Sequence, residues 1–313
     1  PSRCSLFSSK KKKKFDVRVF DPTAPSYLTK TLARYFELIP FCPEVAIGLG
    51  VPRPPIRLVS SDGQVRAVGV SDPTLDVTED LVEYGRTVAS QLADVSGYIF
   101  KRASPSCGME RVKIYSDKGM PVDSGAGFYA QTIMQALPLL PVEEEGRLMD
   151  PVLRENFIER VFVYHRWQSL CQSELTPAKL VDFHTNHKFS ILAHDQAAYR
   201  ELGQIVAAAG SADLPRLRER YATLLMTAMK KRATRKLHSN VLTHIMGFLK
   251  DKIDSGDKAE LLDVIEKNRH GQIPLIVPIT LLKHHLRRYP DPYIARQSYL
   301  NPHPEELMLR NSL

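Results

Sequence analysis

Residues 97–108 read GYIFKRASPSCG, and the change of character inside this stretch points to the fold. Gly97–Phe100 is a short apolar run, the pattern of a strand covered on both faces. It passes straight into a Ser/Pro loop that ends on Cys107 and Gly108. Residues 41–55, FCPEVAIGLGVPRPP, repeat the arrangement, with an apolar approach, Cys42, and then a Pro/Gly loop. A cysteine that follows a strand into a loop sits at the strand's carboxyl end, where α/β folds build their sites.

Working outward, residues 28–38 (LTKTLARYFEL) have helical periodicity. Residues 56–59 and 65–70 read as strands around the turn signal Ser61-Asp62-Gly63. A helix is expected over 78–95, capped by Asp76 or Thr78, then a strand over 111–115, then a Gly-rich turn and helix over 124–138. This alternation predicts an α/β domain over residues 1–150, Rossmann-like with a mostly parallel sheet. The remainder changes period. Residues 151–173, 177–209, 214–250, 257–268 and 274–288 are helical patterns, with Asp213 and Pro215 as a start signal. Pro290, Pro292, Pro302 and Pro304 predict an extended tail. Residues 151–313 therefore read as a second, all-α domain, with the boundary near Gly146 and Pro151.

The 313 residues, 43% apolar and 25% charged, suit two globular domains. No window approaches the roughly 18 apolar residues of a spanning helix, and no apolar h-region of a secretory signal is present. A cytoplasmic protein with no membrane partner is expected. Charge is uneven: 19 Lys/Arg face 18 Asp/Glu in residues 1–150, against 24 and 17 in residues 151–313. A basic surplus in the helical half suggests a polyanionic partner, RNA before membrane, with no DNA expected. Its densest stretch is residues 230–236, KKRATRK, comprising Lys230, Lys231, Arg232, Arg235 and Lys236. On one helix, Lys231/Arg235 and Arg232/Lys236 would be i, i+4 neighbours and form a positive stripe. Arg216 and Arg220 repeat the spacing, and Arg287 and Arg288 adjoin Tyr289. Phosphate contacts of this kind give affinity without sequence readout, and shape recognition suits a folded RNA such as tRNA.

Four cysteines stand at 4, 42, 107 and 171. None forms a C-x-x-C pair, so zinc-ribbon and thioredoxin readings are weak, and a disulfide framework is not expected. Three cysteines on separate loops can still converge. Cys171, in WQSLCQSEL, reads as core. His184, His187 and His194 lack an evident third ligand or supporting carboxylate and read as structural or RNA-contacting. Arg53 and Arg57 read as substrate-phosphate contacts or plain surface, and Glu143-Glu144-Glu145 as an exposed acidic turn. Lys10–Lys14 reads as a solvated loop.

Three runs resemble the thiouracil desulfidase (TudS) family: CPEVAIGLGVPRPP (42–55), FKRASPSCG (100–108) and GRLMDPVLRENFIERVF (146–162). Three more resemble a YbgA-like domain: HTNHKFSILAHD (184–195), HIMGFLKDKI (244–253) and YLNPHPEELMLRN (299–311). The fusion resembles the tRNA 4-thiouridine desulfidases (RudS). The resemblance implies a 4Fe-4S cluster on Cys4, Cys42 and Cys107 with one iron open, and catalytic roles for Glu44 and Ser104. Burial among apolar groups would fit Glu44 for acid/base work. The segment after Cys4 departs from the family, since it is longer, carries the lysine run and lacks a Gly-Gly pair. The implied activity is conversion of 4-thiouridine in tRNA to uridine. Alternatives are a desulfidase of free thiouracil or its nucleotide, and a non-catalytic RNA-binding protein with a structural metal site. Oligomeric state is open.

Overall fold

The structure is a computed structural model and describes residues 15–19, 30–311 and 313. Cys4 and Lys10–Lys14 lie outside the described residues. The chain divides into two compact units between Ala136 and Leu137. In chain order the first contains β1 (Phe15–Val19), β2 (Phe36–Pro40), α1 (Pro43–Ala46), β3 (Ile56–Ser61), β4 (Gln64–Gly69), α2 (Thr78–Ala89), β5 (Gly97–Phe100), β6 (Val112–Ser116), β7 (Pro121–Gly125) and α3 (Phe128–Ala136).

β1 pairs in parallel with β2 on one side and β5 on the other, with Val19 opposite both Pro40 and Ile99. The carboxyl ends of these strands therefore share one edge of the sheet. All four β5 residues are buried, as an apolar run covered on both faces requires. A second, mixed sheet has the order β4-β3-β6-β7: β3 and β6 are parallel, and two hairpins add β4 and β7. The β3–β4 turn places Asp62 and Gly63 both at positive φ, 50° and 77°, the mirror-image turn that matches strand twist. α2 and α3 approach closely through Gly85, where an added Cβ would stand 2.8 Å from Thr132 Cβ.

Of the helix expected over residues 28–38, the described residues keep helical turns only over 30–34. A single 3₁₀ turn, Leu32–Arg34, leads directly into β2. Leu32 and Phe36 are both buried and stand four residues apart, which imitates a helical face. Pairing with β1 makes Phe36–Pro40 a strand instead, so tertiary pairing overrides the local period.

The second unit contains a short strand β8 (Val142–Glu144), then α4 (Pro151–Gln172), α5 (Pro177–His194), α6 (Gln196–Ala207), α7 (Leu214–Lys230), α8 (Arg235–Met246), α9 (Ser255–Arg269), α10 (Ile276–Arg288) and α11 (Pro292–Ala295). Asp150 caps α4 by accepting from the Val152 and Leu153 amides, with Pro151 in the first turn. One core holds Trp167 stacked on Tyr221 at 5.2 Å and edge-on to Phe183. A second holds Leu242, Ile245, Leu261, Ile279, Leu282 and Tyr299. Both cores draw on α5, which contributes Leu180 to the first and Leu192 to the second.

Two long helical patterns are interrupted. The pattern over 177–209 breaks at Asp195, whose side chain caps α6. The pattern over 214–250 breaks after Lys230, and α8 starts afresh behind the Thr234 cap. The break is stabilised from afar: Asn156 Nδ2 donates to the carbonyls of Met229 and Lys231, and His194 Nδ1 bonds the latter too. The tail is not extended. α11 and 3₁₀ turns at Ser298–Leu300, Glu305–Leu307 and Leu309–Asn311 fold it onto the core. Among the described residues no helix is long and apolar enough to cross a membrane.

Candidate active site

The first unit gathers its reactive side chains at the carboxyl edge of the parallel strands. Cys42 follows β2 by two residues and stands at the N-cap position of α1, with no capping bond from its side chain. Cys107 lies in the loop after β5 and is fully buried. Burial pushes its thiol well above the ordinary value, and the charges of Glu44, Cys42 and Arg53 all reach it.

Glu44, in the first turn of α1, is 7% exposed. Its neighbours are polar rather than the apolar ones the sequence suggested. Oε1 accepts from Ser106 Oγ at 2.5 Å and Ser104 Oγ at 3.3 Å, and Oε2 accepts from Arg53 Nε at 2.5 Å. Arg53 also lies within electrostatic reach of Cys42 and Cys107. Ser104 Oγ accepts from the Ser106 and Cys107 amides, which closes the loop into a tight turn. Ser106 Oγ is 3.6 Å from Cys107 Sγ.

Backbone geometry holds this loop rigidly. Ala103 adopts φ 56°, a left-handed conformation uncommon outside glycine. Gly127 carries the opposite wall. Its amide donates to Gly108 O, and a Cβ there would stand 2.5 Å from the Ser106 carbonyl. Beside Cys42 an aromatic shelf is formed by Phe41 stacked on Tyr84 at 5.5 Å and on Tyr129 at 6.1 Å. The buried Tyr129 and Tyr98 hydroxyls are 3.0 Å apart.

Two soft thiol ligands beside a guanidinium, inside a cysteine loop closed by backbone bonds, form a donor set that fits an iron–sulfur cluster. Among the described residues no group of three or more ligating side chains stands within reach of one metal ion. A third thiol would have to come from Cys4, which lies outside those residues.

With this geometry, the comparisons have a physical counterpart. Residues 12–145 match the family model described as 2-thiouracil desulfurase. Residues 188–304 match a model described as a protein of unknown function, DUF1722. The uncharacterized protein YbgA of Escherichia coli (strain K12) is 32% identical over 159 residues, which cover 50% of this chain and 94% of YbgA. The chain belongs to the YbgA family, and the region in front of its YbgA-like part is similar to the 2-thiouracil desulfurase model. A solved structure titled [4Fe-4S]-dependent thiouracil desulfidase TudS is similar at 25% identity over 46% of this chain and 98% of that one, with a TM-score of 0.33.

The remaining sequence candidates fall as follows. Ser106 and the aromatic shelf were not singled out from sequence. The SPS spacing that places both Ser104 and Ser106 on one carboxylate was the available signal. Arg53 is exposed but pairs with Glu44, and Arg57 lies over the Tyr115 ring at 5.9 Å. Glu143, Glu144 and Glu145 are buried rather than an exposed turn, and Glu143 accepts from Arg147 Nε at 2.6 Å. Cys171 is half-buried against the first helical core. His184 bonds the Tyr221 hydroxyl, His187 bonds Phe183 O, and His194 bonds Glu159, and all three side chains are buried.

The basic stretch 230–236 is not one helical stripe. Lys230 ends α7, Lys231 pairs with Asp195, and Arg235 lies against Gly271. Lys230, Arg232 and Lys236 stay exposed around the start of α8. Arg287 and Arg288 are exposed at the end of α10, and Arg288 lies over Tyr289 at 5.7 Å, so that ring is already covered.

Proposed function

We propose that this protein replaces the sulfur of 4-thiouridine in tRNA with oxygen, giving uridine. The observation that carries the reading is the Glu44 carboxylate, clamped by Arg53, Ser104 and Ser106 beside Cys42 and Cys107. Cys4, Cys42 and Cys107 would hold a 4Fe-4S cluster through three thiolates. When bound, such a cluster supplies an iron free of protein ligand, a soft Lewis acid matched to thiocarbonyl sulfur.

The reaction consumes one water, releases hydrogen sulfide and moves no net electrons. Its proton transfers fall to this chain's residues. Glu44 takes a proton from the attacking water and returns it to the departing sulfur. Arg53 Nε holds Oε2 by a hydrogen bond, and Ser104 and Ser106 fix the direction of Oε1. The shelf edge at Phe41 and Tyr84 offers a face on which a pyrimidine stacks. Lys230, Arg232, Lys236, Arg287 and Arg288 contact tRNA phosphates.

The test is anaerobic reconstitution with iron and sulfide, followed by incubation with thiolated tRNA while the thiouridine absorbance is monitored. Loss of absorbance in wild type but not in Glu44→Gln is expected. Unchanged absorbance with a full iron and sulfide count refutes the reading. A second reading is favoured by the family description, which names 2-thiouracil. Equal turnover of free thiouracil and tRNA, with no retardation of RNA on a gel, selects it.

A further inference from the structure

The tRNA contacts proposed above go to phosphates and leave the bases untouched. The chain around them carries more. Residues 220–250 hold seven Lys or Arg and no Asp or Glu. α8 lies inside this acid-free stretch, and Lys236, Thr243 and His244 are exposed along it. A 3₁₀ turn, Gly247–Leu249, follows α8 and carries Phe248. Lys236 and Phe248 are twelve residues apart, about 18 Å at helical rise.

Phe248 is 38% exposed, whereas every other Phe, Tyr or Trp with a described side chain is buried or half-buried. Its ring is held from behind. It stacks on Tyr293 of α11 with centroids 5.4 Å apart and planes 25° from parallel. Lys188 Nζ on α5 lies over the Tyr293 ring at 4.7 Å and over the buried Phe189 at 5.4 Å, which ties the stack to the helical core. Tyr293 covers one face of Phe248, so the exposure belongs to the other face and the ring edge.

The surroundings decide what that face suits. Gly247, Lys250 and Lys252 flank the ring in sequence and are exposed, while Leu249 is buried. Lys250 stands 3.9 Å from Asp251, and Lys252 stands 3.8 Å from Asp291. Ion pairs this long and this open to solvent are weak, so a phosphate competes for both ammonium groups. A protein-docking surface needs a contiguous apolar patch and is poor in lysine at its centre. An aromatic ring framed by cations is the pattern of a surface for single-stranded nucleic acid, where the ring stacks a base and the cations follow the backbone.

We propose that the exposed face of α8 is a track for an RNA strand, with an unpaired base stacked on the outer face of Phe248. Lys236 holds the backbone at one end, and Lys250 and Lys252 hold it beside the stacked base. The proposal rests on the reading of the helical unit as the tRNA-binding half. To its phosphate contacts it adds a residue that requires an unpaired nucleotide. Stacking accepts any base, so the ring selects unpaired RNA rather than a sequence.

The experiment measures tRNA retention on filters by the full chain over a series of salt concentrations, for wild type, Phe248→Leu and Phe248→Tyr. Leucine keeps apolar bulk against Tyr293 and removes the π face. It should weaken binding by about fivefold or more, the loss of one stacked base. The slope of log Kd against log salt should not change, because a neutral side chain releases no counterion. Phe248→Tyr should bind as wild type does. A single-stranded RNA of mixed sequence should show the same loss in Phe248→Leu, whereas a blunt RNA duplex should bind both proteins alike. Phe248→Met removes the ring a second way should leucine disturb the turn, and unfolding temperatures without RNA identify a variant that fails to fold. An unchanged tRNA Kd in the folded variants, or an equal loss on duplex, overturns the proposal and leaves the tRNA reading standing. Wild type that retains no tRNA overturns both. A changed oligomeric state in Phe248→Leu with unchanged RNA affinity assigns the ring to a contact between copies of the chain, which also overturns it.

Discussion

Ser106→Ala probes the clamp on Glu44 most directly. Ser106 is fully buried, and its hydroxyl makes the shorter of the two hydroxyl bonds to Glu44 Oε1, 2.5 Å against 3.3 Å from Ser104. Alanine removes one oxygen and no packing carbon. A hydrogen bond to a charged group contributes about 1.5–3 kcal/mol, and a buried acceptor left short of a donor sets the cost near the upper part of that range. Ser104 can shorten its own bond and recover part. The expected loss is therefore about 2 kcal/mol, or a urea midpoint lower by roughly 1 M for a slope of about 2 kcal/mol/M. The assay is urea unfolding of four proteins: wild type, Ser106→Ala, Glu44→Gln and the double variant. Ser106 and Glu44 share one bond, so their effects should not add, and a coupling of about 1 kcal/mol or more is expected. Hydrogen exchange should rise locally at 104–108, where the Gly108 amide bonds Ser104 O at 2.7 Å. Additive effects within about 0.3 kcal/mol would show that Ser106 does not hold Glu44, and the clamp reasoning would fail.

Gly127→Ala should destabilise the first unit by about 1–3 kcal/mol, because its Cβ must displace the Ser106 carbonyl; a thermal unfolding curve equal to wild type would contradict this. Burial lowers the pKa of His184, His187 and His303 to about 4 and of His238 to about 3. These groups take up protons on unfolding below about pH 6.5, so stability is full above that value and falls as pH drops toward 4. Trp167, the single tryptophan, lies in the same helical unit as these histidines, and its fluorescence should report a urea midpoint that declines with acid rather than staying flat. After anaerobic reconstitution, Cys42→Ala should lose bound iron while Cys171→Ala keeps it; iron retained by Cys42→Ala excludes Cys42 as a ligand. Replacing Lys230, Arg232 and Lys236 together by Ala should weaken tRNA binding and reduce the salt slope by about two to three. An unchanged slope would place the phosphates elsewhere.

The sequence determined by itself whatever local pattern and composition can encode. β5 was legible because four apolar residues in a row have no solvent face. The Asp62-Gly63 hairpin was legible because few residue pairs adopt two positive φ values. Cys42 and Cys107 stood out because each follows an apolar strand into a loop, whereas Glu44 and Ser104 were marked by the family resemblance and not by spacing. The tertiary structure alone decided what depends on partners distant in the chain. Phe36–Pro40 became a strand because β1 offered it a parallel neighbour. The stretch 230–236 lost its helical stripe because Asn156 and His194 captured the carbonyls at the end of α7. Arg53, exposed at the surface, became the partner of Glu44 through a loop that brings residues nine apart into contact. Glu155 and Arg310, 155 positions apart, meet because the tail folds back as 3₁₀ turns instead of running free. Hydrophobic period and turn chemistry act over a few residues, whereas a buried ion pair is fixed by the whole core around it, so no window of sequence contains it.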